Sequence, residues 1–473
     1  MKDKIDKRIL MQTCVLVILV GITFVFSSAR VFKQVQAQAQ GREPILEPII
    51  GLVRQIIAES DDLTVQKVWY DLETKYGVVS LQTDQDLSGL VNQLVQVTRT
   101  KYGDVVSLRK SQQQQSEFAS GDLNIPPPTV GFRKTLVIMV RLQDQTPSQI
   151  TEAQIRDAVF TGDYSANAFL RQASGYKFGL TGRFRSDGDI QNWVTIPFSV
   201  TENCSQQLFN AWTTAADDAA NSNGFSKTEY TLRMYMFPPI PGCVYGAVGS
   251  LGQLGNSTLV GQSWYQLPSD PNFLSQRVPA VYHEVGHNIG IALHSGSQVS
   301  ETDPGTDAGD RGDFMGNAKV FPHNINRMRF GWLTGKILHI TQPSQNTYKL
   351  FPPIHFSKGN KAIRIPLKNT AGEFIGKSIW LESRKPTTSL FEVFPTDRQA
   401  YVTGISIRYV KDDLVDLATK PLIRDTTPTS TAGDEDAPLQ VGQTYTDLTY
   451  GVIIEFLYRS ETLGDIVRVT VTR

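Results

Sequence analysis

Net charge gives no lead in this chain. Lysine plus arginine number 46, and aspartate plus glutamate number 46, so the formal charge is zero. That balance removes any general electrostatic case for nucleic acid or an acidic membrane surface as a partner. Cysteine is scarce, with three in 473 residues. Cys14 falls in an apolar run. Cys204 and Cys243 have no histidine constellation of their own, which argues against a thiol nucleophile. Histidine is scarce as well, at six, so any clustering of it carries weight.

Residues 283 to 294 read His-Glu-Val-Gly-His-Asn-Ile-Gly-Ile-Ala-Leu-His. Chance would place a His-Glu-x-x-His string in a chain of this composition roughly 0.004 times. On a helix, residues four apart share a face, so His283 and His287 can bind one metal ion. Glu284 adjoins His283, within reach of a water held by that metal. A structural zinc site would need four closed protein ligands, usually with cysteines, and no cysteine is near in sequence. A catalytic zinc needs three ligands and an open position. Gly290 falls where a helix can end and the chain turn back, because glycine tolerates positive φ. The expected chemistry is peptide-bond hydrolysis, with zinc lowering the pKa of its water towards about 7 and Glu284 as general base. His323, His339 and His355 are isolated and read as structural or surface residues.

The N-terminus carries Lys2, Lys4, Lys7 and Arg8, followed by an almost wholly apolar stretch over 9–26. This predicts a cleaved secretory signal or a membrane anchor within 1–40. Either one places the bulk of the chain outside the cytoplasm, secreted or at the cell surface. In an oxidising compartment Cys204 and Cys243 form a disulfide or remain as two buried thiols.

Residues 41–128 read as a small α+β region, either a propeptide or a spacer, that ends in a polar and proline-rich linker. Stretches 45–58 and 87–97 have helical apolar spacing, and the similar segments 75–81 and 101–108 read as strands. No cysteine lies in this region to block a metal as thiolate; Asp122 is a carboxylate that could. Residues 129–335 read as α/β. A buried strand is expected over 135–142, and a helix over 151–160 with a capping box at Thr151 and Gln154. Further helices are expected over 166–173 and 205–220, and strands over 178–184 and 232–237. Stretch 258–265 reads as an edge strand able to pair with an extended substrate backbone. Residues 336–473 show short alternating segments between Gly, Pro, Asp and Thr clusters, which predicts an all-β sandwich-like domain.

The run from His283 through Glu284, His287 and Gly290 to a further histidine resembles the metzincin zinc peptidases. More narrowly, the chain resembles the gametolysin family of secreted metallopeptidases. The matching stretches are 167–174, 178–182, Gly309-Asp-Arg-Gly-Asp-Phe-Met315-Gly-Asn317 and Arg329-Phe-Gly-Trp-Leu333, with a weaker likeness in the tail. The resemblance implies that Met315 underlies the metal without binding it, and that the substrates are extracellular or cell-wall proteins. One departure stands out. The usual pattern has two residues between the glycine and the third histidine, whereas Ile291, Ala292 and Leu293 precede His294 here. A one-residue bulge delivering His294 is the expected solution; Asp303, Asp307 or Asp310 is the rival third ligand. The resulting expectation is an exported zinc endopeptidase acting on protein or peptide substrates. Its alternative is a catalytically silent zinc-containing binding protein on a peptidase scaffold. Membrane contact is expected only through the N-terminal segment.

Overall fold

A computed structural model of the chain describes residues 49–74, 77–99, 105–110, 123, 127–200, 204–333, 335–353, 359–414, 419–430, 433–460 and 464–473. The expected signal or anchor, Asp122 and His355 lie outside these residues. Among the described residues, no helix is long and apolar enough to cross a membrane. The chain divides into two compact units.

The smaller unit takes its described residues from 49–53, 70–85 and 93–110. Its strands come from β1 (Ile49–Glu59), β2 (Gln66–Thr74), β3 (Gly77–Leu81), β4 (Leu94–Arg99) and β5 (Val105–Lys110). β1 pairs with β4, β2 with β3, and β4 with β5, all antiparallel. The helical readings are therefore corrected: the described part of 45–58, from residue 49 on, is a strand, and 87–97 holds a single 3₁₀ turn (Ser88–Leu90) before β4. Ile49, Ile50, Val53, Ile56 and Ile57 are β-branched, which favours the extended chain. Residues 53–59 are all buried, so their apolar run has no true period to read.

The larger unit holds 54–69, 86–92 and the described residues from 123 onward. Its α/β part contains β6 (Gly131–Leu142), α1 (Glu152–Arg156), α2 (Ala166–Ala173), β7 (Phe178–Thr181), β8 (Asp189–Ile196) and α3 (Gln206–Ser222). β9 (Leu232–Phe237), β10 (Ala247–Ser250), β11 (Gly261–Gln266) and α4 (Val278–Asn288) follow. The strands run in the order β8-β6-β9-β11-β10, parallel except for β10, and β7 pairs with the start of β6. The continuous apolar run over 135–142 is explained by β6 being covered on both faces. Val137 and Met139 join Phe169 of α2 and Val285 of α4 in one core. Leu136, Ile138 and Val140 join Phe209 and Trp212 of α3 in the other.

The capping box at Thr151 is present, but α1 stops at Arg156 and passes into a π turn over Asp157–Thr161. The reading of 258–265 as an edge is corrected: β11 is interior, flanked by β9 and β10. Beyond it lies β10, four residues long with Gly249 in it and too short to announce itself in sequence, and the end of β1 pairs along its other side. Cys204 and Cys243 form a disulfide with their Cα atoms 5.1 Å apart.

The remaining elements are β12 (Gly296–Gln298), α5 (Asn324–Arg329), β13 (Lys336–His339), β14 (Ser344–Leu350), β15 (Asn360–Lys368) and β16 (Phe374–Ser383). α6 (Ala400–Thr403), β17 (Ile405–Lys411), β18 (Leu422–Arg424), β19 (Thr444–Asp447), β20 (Val452–Ser460) and β21 (Gly464–Val471) complete the chain. Two sheets result, β12-β18-β17-β16-β15-β13 and β14-β21-β20-β19. Ile365, Ile379 and Ile407 of the first share one core with Ile454, Phe456 and Val467 of the second, which fits a β-sandwich. β12 comes before residue 336 yet pairs in parallel with β18, so this sheet reaches back to the chain just after His294.

Candidate metal centre

Helix α4 begins with Pro279 in its first turn, where the missing N–H leaves nothing unsatisfied. Val281, Tyr282 and Val285 fix it in the core, and Tyr282 stacks on Phe169 with ring centroids 3.7 Å apart. His283 and His287 lie one turn apart, centroids 5.1 Å from each other. The helix ends at Gly290, whose φ is 120° and where a Cβ would lie 2.4 Å from the Leu254 nitrogen. The chain then turns back through Ile291, Ala292 and Leu293. His294 Nε2 arrives 3.3 Å from His283 Nε2. The extra residue is absorbed in that short loop.

Each imidazole is held through its other nitrogen. His283 Nδ1 lies 2.7 Å from the Phe314 carbonyl oxygen, and His287 Nδ1 lies 2.6 Å from the Ile291 carbonyl oxygen. Carbonyl oxygens only accept, so these Nδ1 atoms donate and the Nε2 lone pairs face the cluster. His294 Nδ1 lies 2.9 Å from Asp307 Oδ2, and the other Asp307 oxygen is met by Lys420. Asp310 instead pairs with Arg408 of β17 at 2.6 Å, and Asp303 accepts from the Val299 and Gly305 N–H groups. The structure thus brings His294 to the other two histidines and sets the three rival aspartates elsewhere, Asp307 directly behind the His294 ring.

A residue that sequence reasoning missed completes the group. Glu59, the last residue of β1, places Oε1 2.5 Å from His294 Nε2 and 3.4 Å from His287 Nε2, and Oε2 3.1 Å from His283 Nε2. One ligand atom from each of the four residues lies within 4.8 Å of the others, and all four residues are buried. Gln66 donates to Glu59 at 3.2 Å. The only signal for Glu59 was a single carboxylate closing the apolar run Ile56-Ile57-Ala58, which folds as a buried strand.

Tetrahedral ligand atoms on a zinc-sized ion sit about 3.3 Å apart, which the observed separations bracket. His287 Nε2, Glu59 Oε2 and Glu284 Oε2 are buried and make no hydrogen bond among the described residues. Buried polar atoms in that state are costly. Three imidazole nitrogens with a carboxylate are a donor set suited to a divalent metal. The residues present fit a metal ion.

The electrostatics follow from burial. Glu284 is held well above the usual carboxylate range by burial, reinforced by the charge on Glu59. Gly249 of β10 leaves it room, since a Cβ there would meet Glu284 Oε2 at 2.3 Å. For Glu59, burial opposes ionisation, but His294 and His283 outweigh it and hold the carboxyl well below its ordinary value. His294 is pushed up to about 10: burial disfavours its charge, and Glu59 with Asp307 more than offsets that.

Met315 is buried against α4, its sulfur 2.4 Å from where a Cβ on Gly286 would be. His323 is buried away from the cluster; its Nδ1 accepts from the Asn326 N–H at the start of α5. His339 ends β13 beside Arg364.

An α/β body whose His-Glu-x-x-His helix is joined by a third imidazole and a buried acid has the makings of a metal-dependent peptidase. Residues 134–364 match the family model for gametolysin peptidase M11. That match supports a gametolysin-like peptidase family for the region it covers. No curated protein matches the chain.

Proposed function

We propose that this chain is an exported zinc endopeptidase of the metzincin type that cleaves extracellular or cell-wall proteins. The carrying observation is the convergence of the Nε2 atoms of His283, His287 and His294, each ring anchored through Nδ1, next to buried Glu284. The three histidines hold the metal, and imidazole donors of this number suit catalytic zinc. Bound there, zinc supplies Lewis-acid polarisation of the scissile carbonyl and acidifies water to a pKa of about 7. Glu284 takes the water proton and passes it to the leaving amine, help worth about 10²–10⁴-fold. Asp307 and the carbonyl groups of Phe314 and Ile291 keep the imidazoles aimed. Gly290 supplies the turn, and Met315 packs beneath the helix as the resemblance implies.

Export is supported by the basic and then apolar N-terminus and by the Cys204–Cys243 disulfide, which suits an oxidising compartment. Residues 41–128 are read as a propeptide, 129–335 as the catalytic domain and 336–473 as its supporting β domain. The test is zinc content together with digestion of an unfolded protein. It compares the full chain, nicked by an activating protease that is then inhibited, with its Glu284→Ala counterpart. About one zinc per chain in both, with digestion lost only in the variant, is expected. A zinc-free wild type, or a variant that digests equally well, refutes the reading.

A further inference from the structure

The end of β1 lies on the sheet as an added peptide would. Arg54–Glu59 run antiparallel along the outer side of β10, with Ile57 opposite Gly249 and Glu59 opposite Ala247. The Leu251 N–H donates to the Gln55 carbonyl at 2.7 Å, and the Gly246 N–H donates to the Glu59 carbonyl at 2.8 Å. Peptides that extend a sheet edge are held by main-chain bonds of this kind, with alternate side chains in pockets. Ile56 and Ala58 enter the core that holds Val248 and Trp264. Beyond the strand, Asp61 pairs with Arg277, and Trp69 meets Tyr245 edge-on with centroids 5.5 Å apart.

Held in this way, the Glu59 carboxylate is presented to all three Nε2 atoms at once. Zinc accepts carboxylate oxygen alongside imidazole, and a zinc with four protein ligands lacks the open position that catalysis needs. We propose that Glu59 is a fourth metal ligand, carried on a strand that lies in the substrate's place, and that the full chain is a latent peptidase. The proposal rests on the metallopeptidase reading above. While Glu59 is bound, the water that Glu284 would deprotonate has no coordination position. Displacing residues 54–69 frees the β10 edge and that position together.

The test is made on the full chain with cobalt(II) in place of zinc, because cobalt absorption reports coordination. Acetohydroxamate is the probe for an open position. An intramolecular ligand acts at millimolar or higher effective concentration, so removing it strengthens probe binding by about tenfold or more. Wild type is expected to hold one cobalt and keep its spectrum as the probe is added. Glu59→Ala and the shape-conserving Glu59→Gln, checked for wild-type circular dichroism, are expected to keep the metal and shift on titration. Equal probe affinity in wild type and variants overturns the proposal. So does loss of the metal from folded variants, which would mark a closed structural site. If the wild type holds no metal, the metallopeptidase reading itself falls.

Discussion

Replacing Asp307 by alanine leaves the three histidines in place but removes the group against which His294 is braced. Asp307 Oδ2 lies 2.9 Å from His294 Nδ1, and its other oxygen meets Lys420. Loss of a carboxylate that orients a metal-bound imidazole typically weakens metal binding about 10–100-fold, or about 1.4–2.8 kcal/mol. The Asp307 side chain is 43 % exposed, so solvent screens its purely ionic contribution. What remains is control of ring orientation and tautomer, which sets the expectation near the lower limit, about tenfold. Asp307→Asn keeps an oxygen able to accept from Nδ1–H and should recover part of the loss. Lys420→Met touches only the outer member and should cost about twofold or less. His294→Ala deletes the donor itself and should exceed them all. Competition between the full chain and a fluorescent zinc chelator at neutral pH gives every affinity on one scale. Wild-type affinity in Asp307→Ala, or a larger loss in Lys420→Met than in Asp307→Ala, would refute the reasoning.

Three further outcomes follow from the packing. Glu382 is buried between Arg384 at 2.7 Å and Arg408 at 3.7 Å, so Glu382→Gln should cost about 3–5 kcal/mol at pH 7. Burial opposes its ionisation, but Arg384 and Arg408 outweigh it and the folded carboxyl titrates below its ordinary value. The carboxylate therefore stabilises above the unfolded pKa of about 4.3, and that benefit is lost as pH falls through the folded value. The urea-midpoint gap between wild type and variant should narrow below about pH 4. Replacing Cys204 and Cys243 together by serine opens a loop of sequence separation 39 and should cost about 4 kcal/mol, read by thermal unfolding. Gly286→Ala places a Cβ 2.4 Å from Met315 Sδ and 2.8 Å from Phe314, so overpacking of about 1–3 kcal/mol opposes the better helix propensity. Net destabilisation with weaker zinc binding is expected, because Phe314 also carries the acceptor for His283.

What the sequence revealed was mostly local. The shared face of His283 and His287 follows from helical period, and the turn after them from Gly290. The buried strand β6 is marked by its unbroken apolar run, and β15, β17 and β21 by alternation. What it hid depends on long-range pairing. Glu59 reaches the histidines only because β1 pairs with β10, and its approach was masked by an apolar run that mimics helical spacing although residues 53–59 are all buried. Asp307 was visible as a nearby carboxylate, but composition cannot say whether an oxygen meets the metal side or the far side of an imidazole. Three-residue β12 is too short to carry any pattern.

That small strand has an effect on timing. It starts two residues after His294 and is completed only by β18, while Lys420, just ahead of β18, braces Asp307. During synthesis the N-terminal parts emerge and fold first, so residues 283–294 leave the ribosome long before 420–424. Until those last residues arrive, Asp307 lacks its Lys420 partner and β12 its β18 neighbour. The segment that follows His294 is therefore completed only after the C-terminal part of the chain has been made.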